Sequence, residues 1–229
     1  MQNHPGVDTN EDISAEGRLS PIQHSCPPDR VPFPKPFHIR CAQCISNILA
    51  PITISLPLIV LVAFYHARNL FTALSYALIT LLFVSLAPAT YVLIGVRQGK
   101  ISDLEVSNRK ERTGPFLFGI ISTIVGLFIL LFTDGPKNLE TLVFITGVSG
   151  IVMTLTTLWW KISIHASSLA VAATLLATLY GIVMLPTYLL VVLVGWSRVA
   201  LRRHTVAQVV IGALVSIALT VAILKVRGV

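Results

Sequence analysis

Residues 195–208, GWSRVALRRHTVAQ, form a cationic segment with one histidine between two long apolar runs. Arginine offers a planar fork of N–H donors that fits a phosphate, and a neutral histidine can attack phosphorus. Arg198 and His204 are therefore candidates for phosphate chemistry. The apolar runs on either side predict that the segment lies at a membrane surface, between two helices that enter the bilayer.

The composition is typical of an integral membrane protein. The 229 residues are 54% hydrophobic and only 12% charged, whereas soluble domains carry about 25% charged residues. A net charge of +7 is compatible with nucleic-acid binding. However, the lysines and arginines stand at the ends of apolar runs, as in membrane proteins. We therefore expect the bilayer, and no nucleic acid, as a partner, while the sequence indicates no oligomeric state.

Several apolar segments approach the roughly 20 residues that cross a bilayer. They cover residues 46–65, 71–95, 115–132, 139–159, 163–182, 186–201 and 205–224. Because no strand-like alternation is convincing, we predict an all-α fold, a polytopic transmembrane helix bundle of six to seven spans. Residues 46–229 would form this domain, with Pro88 kinking the second span. Residues 1–45 predict a polar tail without regular structure.

All three cysteines, Cys26, Cys41 and Cys44, fall in this tail. A zinc site needs two Cys-x-x-Cys-type pairs or a tight Cys/His set, and the tail offers only Cys41 and Cys44 with scattered histidines. We therefore favour free thiols and predict neither a metal nor a cofactor. A metal site and acylation of the juxtamembrane pair are the alternatives.

Polar segments interrupt the apolar runs at residues 97–114, 161–165 and 198–204. Two predicted spans separate each segment from the next, so an even number of crossings places all three on the same membrane face. Loops that served only to connect helices would not need to obey this rule. We therefore predict that the three segments share one site.

The first two segments carry further candidates for binding an anion. Arg109 and Arg112, with Lys110 between them, could capture a phosphate, although such a charge run also suits a solvated loop. Ser163 could donate to a phosphate at the start of a predicted helix, where free backbone N–H groups favour anions. His165, two residues later, could act as a general acid or be a structural residue.

Gln208 follows His204 by four residues, which places both side chains on one face of a helix. The amide oxygen of Gln208 can accept the imidazole N–H and fix the tautomer of His204. It does not supply the negative charge of a carboxylate, which Asp103 or Glu105 could provide instead.

Together the three segments resemble the motifs of the type 2 phosphatidic acid phosphatase superfamily, which also includes vanadium haloperoxidases. Ser197, Arg198 and His204 stand at the spacing of the third motif, and Gln208 replaces the Asp that follows the histidine. The second motif, Pro-Ser-Gly-His, reads Ile-Ser-Ile-His at residues 162–165.

The first motif, a Lys separated by six residues from Arg-Pro, has Glu105 in the place of the Lys and Arg112 in the place of the Arg, and its Pro comes three residues late. The resemblance covers residues 70–225. It implies a helical core and an integral-membrane phosphatase that hydrolyses a lipid phosphate or diphosphate, phosphatidic acid-like or isoprenoid, without a metal.

In this interpretation His204 forms a phosphohistidine, His165 protonates the leaving oxygen and Gln208 orients the nucleophile. The phosphate would be bound by Arg109, Arg112, Ser163 and Arg198. The alternatives are a lipid phosphotransferase and a catalytically degenerate relative that binds lipid.

Most lysines and arginines outside the apolar runs flank the face that carries the three segments. The positive-inside rule then favours a multi-pass protein of the cell (inner) membrane with this face in the cytoplasm. The resemblance favours the opposite side, since many bacterial relatives carry the site on the outer face.

Overall fold

The computed structural model describes residues 36–65, 67, 69–106 and 108–229, with Arg109 described by its backbone alone. This part of the chain is helical and contains no strand, which confirms the predicted all-α helical bundle. The helices are α1 (Phe37–Ile48), α2 (Pro51–Phe64), α3 (Leu70–Leu81), α4 (Ala87–Arg97), α5 (Thr113–Phe132), α6 (Lys137–Trp159), α7 (Ile164–Tyr180), α8 (Thr187–Ala200) and α9 (Val206–Arg227).

Five helical stretches of the described residues are long and apolar enough to cross a membrane. They are Leu70–Arg97, α5, α6, Ile164–Met184 and α9. The pair α1 and α2, bent by 43°, makes a sixth if it counts as one span. The predicted span at 186–201 is instead the 14-residue helix α8, about 21 Å long and short of the ~20 residues that a span needs.

Helix α1 begins at Phe37, inside the stretch that the sequence assigned to the polar tail. Its buried residues, Ala42 and Ser46, lie one turn apart on one face, and α1 packs against α8. Packing on another helix thus makes residues 37–45 helical. Cys41 and Cys44 are free cysteines of this helix, whereas Cys26 lies outside the described residues.

Before Pro88, where the sequence predicts a kink, the second span contains a π-helical turn, Leu82–Leu86, between α3 and α4. Proline lacks the N–H that would continue the backbone ladder, so carbonyls in the preceding turn need other donors. The Ser122 hydroxyl of α5 donates to the carbonyl oxygen of Phe83 at 2.6 Å. The second span is therefore held against α5 at this π-helical turn.

Helix α7 is the most buried helix of the bundle and packs closely against α9. A Cβ added to Gly212 of α9 would lie 2.9 Å from the Ser167 Oγ and 3.2 Å from the Ile162 Cγ1. Only glycine permits this approach. The N–H of Ser163 also donates to the carbonyl oxygen of Gln208 at 3.3 Å, so the starts of α7 and α9 are fixed side by side.

Candidate active site

The three polar segments meet at one end of the bundle. Arg198 of α8 forms a salt bridge with Glu105 of the first segment, 3.0 Å between Nη2 and Oε2. The backbone bond between Ser163 and Gln208 joins the second segment to the third. Although α8 is short, it returns the chain to the end where α7 begins, so the third segment meets the other two.

Arg198 is the centre of this cluster and is only 4% exposed. Its Nη1 donates to the Ser46 Oγ of α1 at 2.7 Å, and its Nη2 donates to Glu105. Its Nε is buried without a partner among the described residues. A buried cation is tolerated only when it is paired, so Glu105 and Ser46 stabilise Arg198 inside the protein.

Glu105 stays ionised in this environment. Burial would raise its pKa, but the hydrogen bond from Arg198, together with the charges of Arg198, His165 and Arg203, holds the pKa below its usual value. The side chain of Glu105 is 26% exposed. The carboxylate therefore occupies the part of the Arg198 fork that a phosphate would otherwise take.

The turn between α8 and α9 places His204 beside this cluster. Arg202 adopts a left-handed conformation with φ 53°, which ends α8. The N–H groups of Arg203 and His204 then both donate to the carbonyl oxygen of Arg198, at 3.0 and 3.3 Å. The chain folds back on the end of α8, and His204 is only 8% exposed.

Gln208 has two roles at the start of α9. Thr205 and Gln208 form a capping box: the Gln208 N–H donates to the Thr205 Oγ1, and the Thr205 N–H donates to the Gln208 Oε1. Because that N–H needs an acceptor, the amide oxygen must face it. The same oxygen lies 3.2 Å from the His204 Nδ1, so Nδ1 carries the proton and the Nε2 lone pair is free.

His204 opens into a shallow cavity of about 420 Å³ that is rich in cations. Its lining consists of Lys161, Val199, Arg202, Arg203, His204, Thr205 and Gln208. Burial, followed by the charges of Lys161 and Arg198, lowers the pKa of His204 from 6.5 to about 4, against the hydrogen bond that His204 donates to Gln208, which raises it. The imidazole is therefore neutral at pH 7 in surroundings that attract anions.

Lys161 was not among the residues assigned a role from the sequence, yet it lines the cavity with His204. Burial lowers the pKa of its ammonium group, and the charges of Arg112, Arg198 and Arg203 lower it further. Desolvation and neighbouring cations thus both favour release of its proton.

Two predicted site residues lie near the cavity but do not line it. His165, in the first turn of α7, is 8% exposed, and its charge acts on the Glu105 carboxylate. Ser163 is fully buried, and its hydroxyl accepts the Ala166 N–H as the cap of α7 at 3.5 Å. Ser163 therefore fixes the start of α7 and has no surface to offer a phosphate.

Arg112 is 3% exposed and faces a second cavity. Its Nε donates to the carbonyl oxygen of Val106 at 2.8 Å, and its Nη1 is buried without a partner among the described residues. The side chain of Arg109 lies outside the described part of the chain. Within that part, no three His, Cys, Asp or Glu side chains come close enough to hold a metal ion.

Sequence reasoning also missed Ser46 and the capping function of Thr205. Nothing around Ser46 signals its role, because Arg198 lies 152 residues further along the chain. Thr205 could have been found, since Thr-x-x-Gln before an apolar run is a capping-box signature.

Comparison of the chain with protein-family models, with curated proteins and with solved structures found no match.

Proposed function

We propose that the protein is a membrane-embedded phosphatase that hydrolyses a lipid phosphate or diphosphate through a phosphohistidine on His204. One observation carries the proposal: a neutral imidazole whose Nδ1–H faces the Gln208 oxygen opens into a cavity with Lys161, Arg202 and Arg203. A nucleophilic histidine needs a free Nε2 lone pair, and its phosphate substrate needs cations around it. Both requirements are met at the same place.

In the first step the His204 Nε2 attacks phosphorus, and the bond from phosphorus to the leaving oxygen breaks. The leaving oxygen takes a proton from a general acid, which releases the lipid alcohol or the shorter phosphate. In the second step a water oxygen attacks the phosphohistidine and its proton returns to the same group. Cleavage of the N–P bond then restores neutral His204 and releases phosphate.

His165 and Lys161 are the two groups that could serve as the acid. The resemblance assigns this role to His165, which does not line the cavity of His204. Lys161 does line it, and its lowered pKa makes it a better proton donor than an ordinary lysine. Substrates whose leaving groups depart without a proton distinguish His165 from Lys161. Such substrates should restore turnover only in the variant that lacks the true general acid.

A second candidate function is anion binding without turnover. The salt bridge between Glu105 and Arg198 favours it, because a carboxylate already occupies the fork expected to grip phosphate. In the resembling family this position of the first motif is a lysine. Such a protein would bind the phosphate of a lipid in the His204 cavity and form no covalent intermediate.

The deciding experiment measures phosphate release by the purified protein from phosphatidic acid and from a prenyl diphosphate. We expect His204→Ala to lower turnover at least about a thousandfold, as loss of a nucleophile does. His38→Ala, an exposed histidine of α1, should leave turnover unchanged. An acid-labile, base-stable phosphoprotein formed from labelled substrate by the wild type, and absent in His204→Ala, would support the enzyme over the silent binder.

Free phosphate release without an added acceptor also separates hydrolysis from phosphotransfer to another lipid or sugar.

For location, we propose a multi-pass protein of the inner membrane with the His204 cavity on the cytoplasmic face. The basis is the excess of lysines and arginines on the face that carries the three polar segments. Arg202→Cys places a thiol at an exposed position of this face. In a chain whose native cysteines are replaced by serine, we expect a membrane-impermeant reagent to label this thiol in inverted but not in right-side-out vesicles.

A further inference from the structure

A second cavity, of about 320 Å³, lies between the start of α5 and the end of α6. Its lining consists of Lys110, Arg112, Thr113, Phe116, Thr154, Thr157 and Leu158. Its size is within the range of small-molecule pockets, about 300 to 1,000 Å³. It is separate from the cavity of His204 and shares no lining residue with it.

Thr157 behaves differently from the other threonines of α6. The hydroxyls of Thr141, Thr146, Thr154 and Thr156 each donate to the carbonyl four residues earlier. Thr157 is 5% exposed, and its Oγ1 has no partner among the described residues. A buried hydroxyl without a partner is costly, so the Thr157 hydroxyl on the wall of this cavity is a candidate donor to a ligand.

Arg112 adds a cation with the same deficiency. Its Nε donates to the carbonyl oxygen of Val106. Arg112 lines this cavity, and its Nη1 is buried without a partner in the described part of the chain. No side chain caps the start of α5 beside it, and exposed Lys110 stands at the rim. A guanidinium N–H, a hydroxyl and a helix start all favour an oxyanion.

The apolar lining and the position of the cavity indicate where the oxyanion comes from. Phe116 and Leu158 provide apolar surface, and the side chain of Leu158 is 51% exposed. The cavity lies beside Trp159, which is 78% exposed at the end of α6, as expected of a tryptophan at the membrane–water interface. A phosphate bound here would be at headgroup depth, with acyl chains beside α5 and α6.

We infer that the cavity between α5 and α6 binds the phosphate of a membrane phospholipid, with Arg112 and Thr157 as its donors. The inference does not depend on the proposed phosphatase, since a phosphodiester lipid can occupy this cavity without reacting. The site would be filled by a lipid of the surrounding leaflet and would join the first polar segment to α6.

Thermal unfolding of the full chain in detergent micelles, titrated with dioctanoyl phosphatidylglycerol, tests the inference. Thr157→Val keeps the shape of the side chain and removes only the hydroxyl. We expect it to weaken lipid binding about tenfold while the lipid-free unfolding temperature stays equal or rises. The matched control, Thr156→Val in the same turn, should bind with wild-type affinity. Arg112 is left intact because its replacement would also release the loop at Val106.

Two further arms identify the ligand. Dioctanoylglycerol, which lacks phosphate, and inorganic phosphate at the same concentration should each protect far less than phosphatidylglycerol. Equal protection by inorganic phosphate would overturn the assignment to a lipid, and wild-type affinity in Thr157→Val would overturn the site. His204→Ala should bind phosphatidylglycerol as the wild type does. Loss of binding in this variant would show that the two cavities are one site, whereas loss of turnover alone bears only on the phosphatase.

Discussion

Replacing Lys161 by glutamine should raise the pKa of His204. Burial is the largest cause of the lowered pKa, and Lys161 is the first of the charges that add to it. The fall from 6.5 to about 4 corresponds to about 3 kcal/mol of differential stabilisation of the neutral form. Lys161→Gln removes only the share due to that charge, so the new pKa should lie between these two values.

The difference is large enough to observe at one pH. At pH 5.5 a group with a pKa of about 4 is only about 3% protonated, whereas an ordinary histidine is about 90% protonated. Protein labelled with ¹⁵N-histidine in micelles, compared with His204→Ala to assign the signal, reports both charge and tautomer. We expect a neutral ring protonated on Nδ1 in the wild type and a measurable imidazolium fraction in Lys161→Gln.

The same shift couples stability to pH, with a definite sign. Between pH 6.5 and about 4 the unfolded chain binds a proton at His204 that the folded chain does not. The contribution of His204 to stability is therefore intact above pH 6.5 and is lost as the pH falls towards 4, by up to about 3 kcal/mol. Lys161→Gln should make this loss smaller.

Lys137→Gln, which removes the same charge at the start of α6, is the matched control and should leave the titration of His204 unchanged. Two results would refute the reasoning. One is a fully protonated His204 in the wild type at pH 5.5, and the other is an equal change of its pKa in both lysine variants.

Glu105→Gln should lower the free energy of unfolding by about 1 to 3 kcal/mol, because it leaves the buried cation of Arg198 without its carboxylate partner. This range is reduced from that of a fully buried pair because Glu105 is partly exposed. In the same thermal assay, inorganic phosphate should protect this variant more than the wild type, and equal protection would contradict the view that the carboxylate occupies an anion site. Gln208→Glu keeps the capping oxygen and adds a negative charge beside the imidazole, so the pKa of His204 should rise in the ¹⁵N titration, whereas an unchanged pKa would remove Gln208 from that hydrogen bond. Gly212→Ala forces one contact under 3.0 Å, with the Ser167 Oγ, and should cost about 1 to 3 kcal/mol in denaturant unfolding. Gly147→Ala, with 3.5 Å to its nearest neighbour, should cost little.

The helical bundle followed from the sequence because apolar length is a strong signal in membrane proteins. The lengths of α5, α6 and α9 all fell close to their predicted ranges. Helix α1 was missed because polar and charged residues interrupt its apolar ones, and it is stabilised by packing of Ala42 and Ser46 on another helix. The predicted bounds of α8, 186–201, lie within one residue of those observed, but the helix is shorter than the ~20 residues that cross a bilayer.

At the site, the relations within one segment could be predicted, and the relations between segments could not. His204 and Gln208 share a helix face at four-residue spacing, and their side chains do meet. The partners of Arg198 come from α1 and from the first polar segment, and no spacing rule connects such distant residues. The burial of Ser163 likewise depends on a glycine of α9, which only the packed structure reveals.

The balance of charge around Arg198 indicates which groups an arriving anion would meet first. Arg198 is almost fully buried, and Glu105 and Ser46 already accept from two of its three nitrogens. Arg202 and Arg203 are exposed on the wall of the His204 cavity and carry the charge that reaches solvent. An anion would therefore be attracted by these two residues first, and it would then engage Arg198 either through the partnerless Nε or by displacing Glu105. Because the first route leaves the buried pair intact and the second breaks it, turnover in Glu105→Gln relative to the wild type distinguishes them: no change indicates the first route, and faster turnover the second.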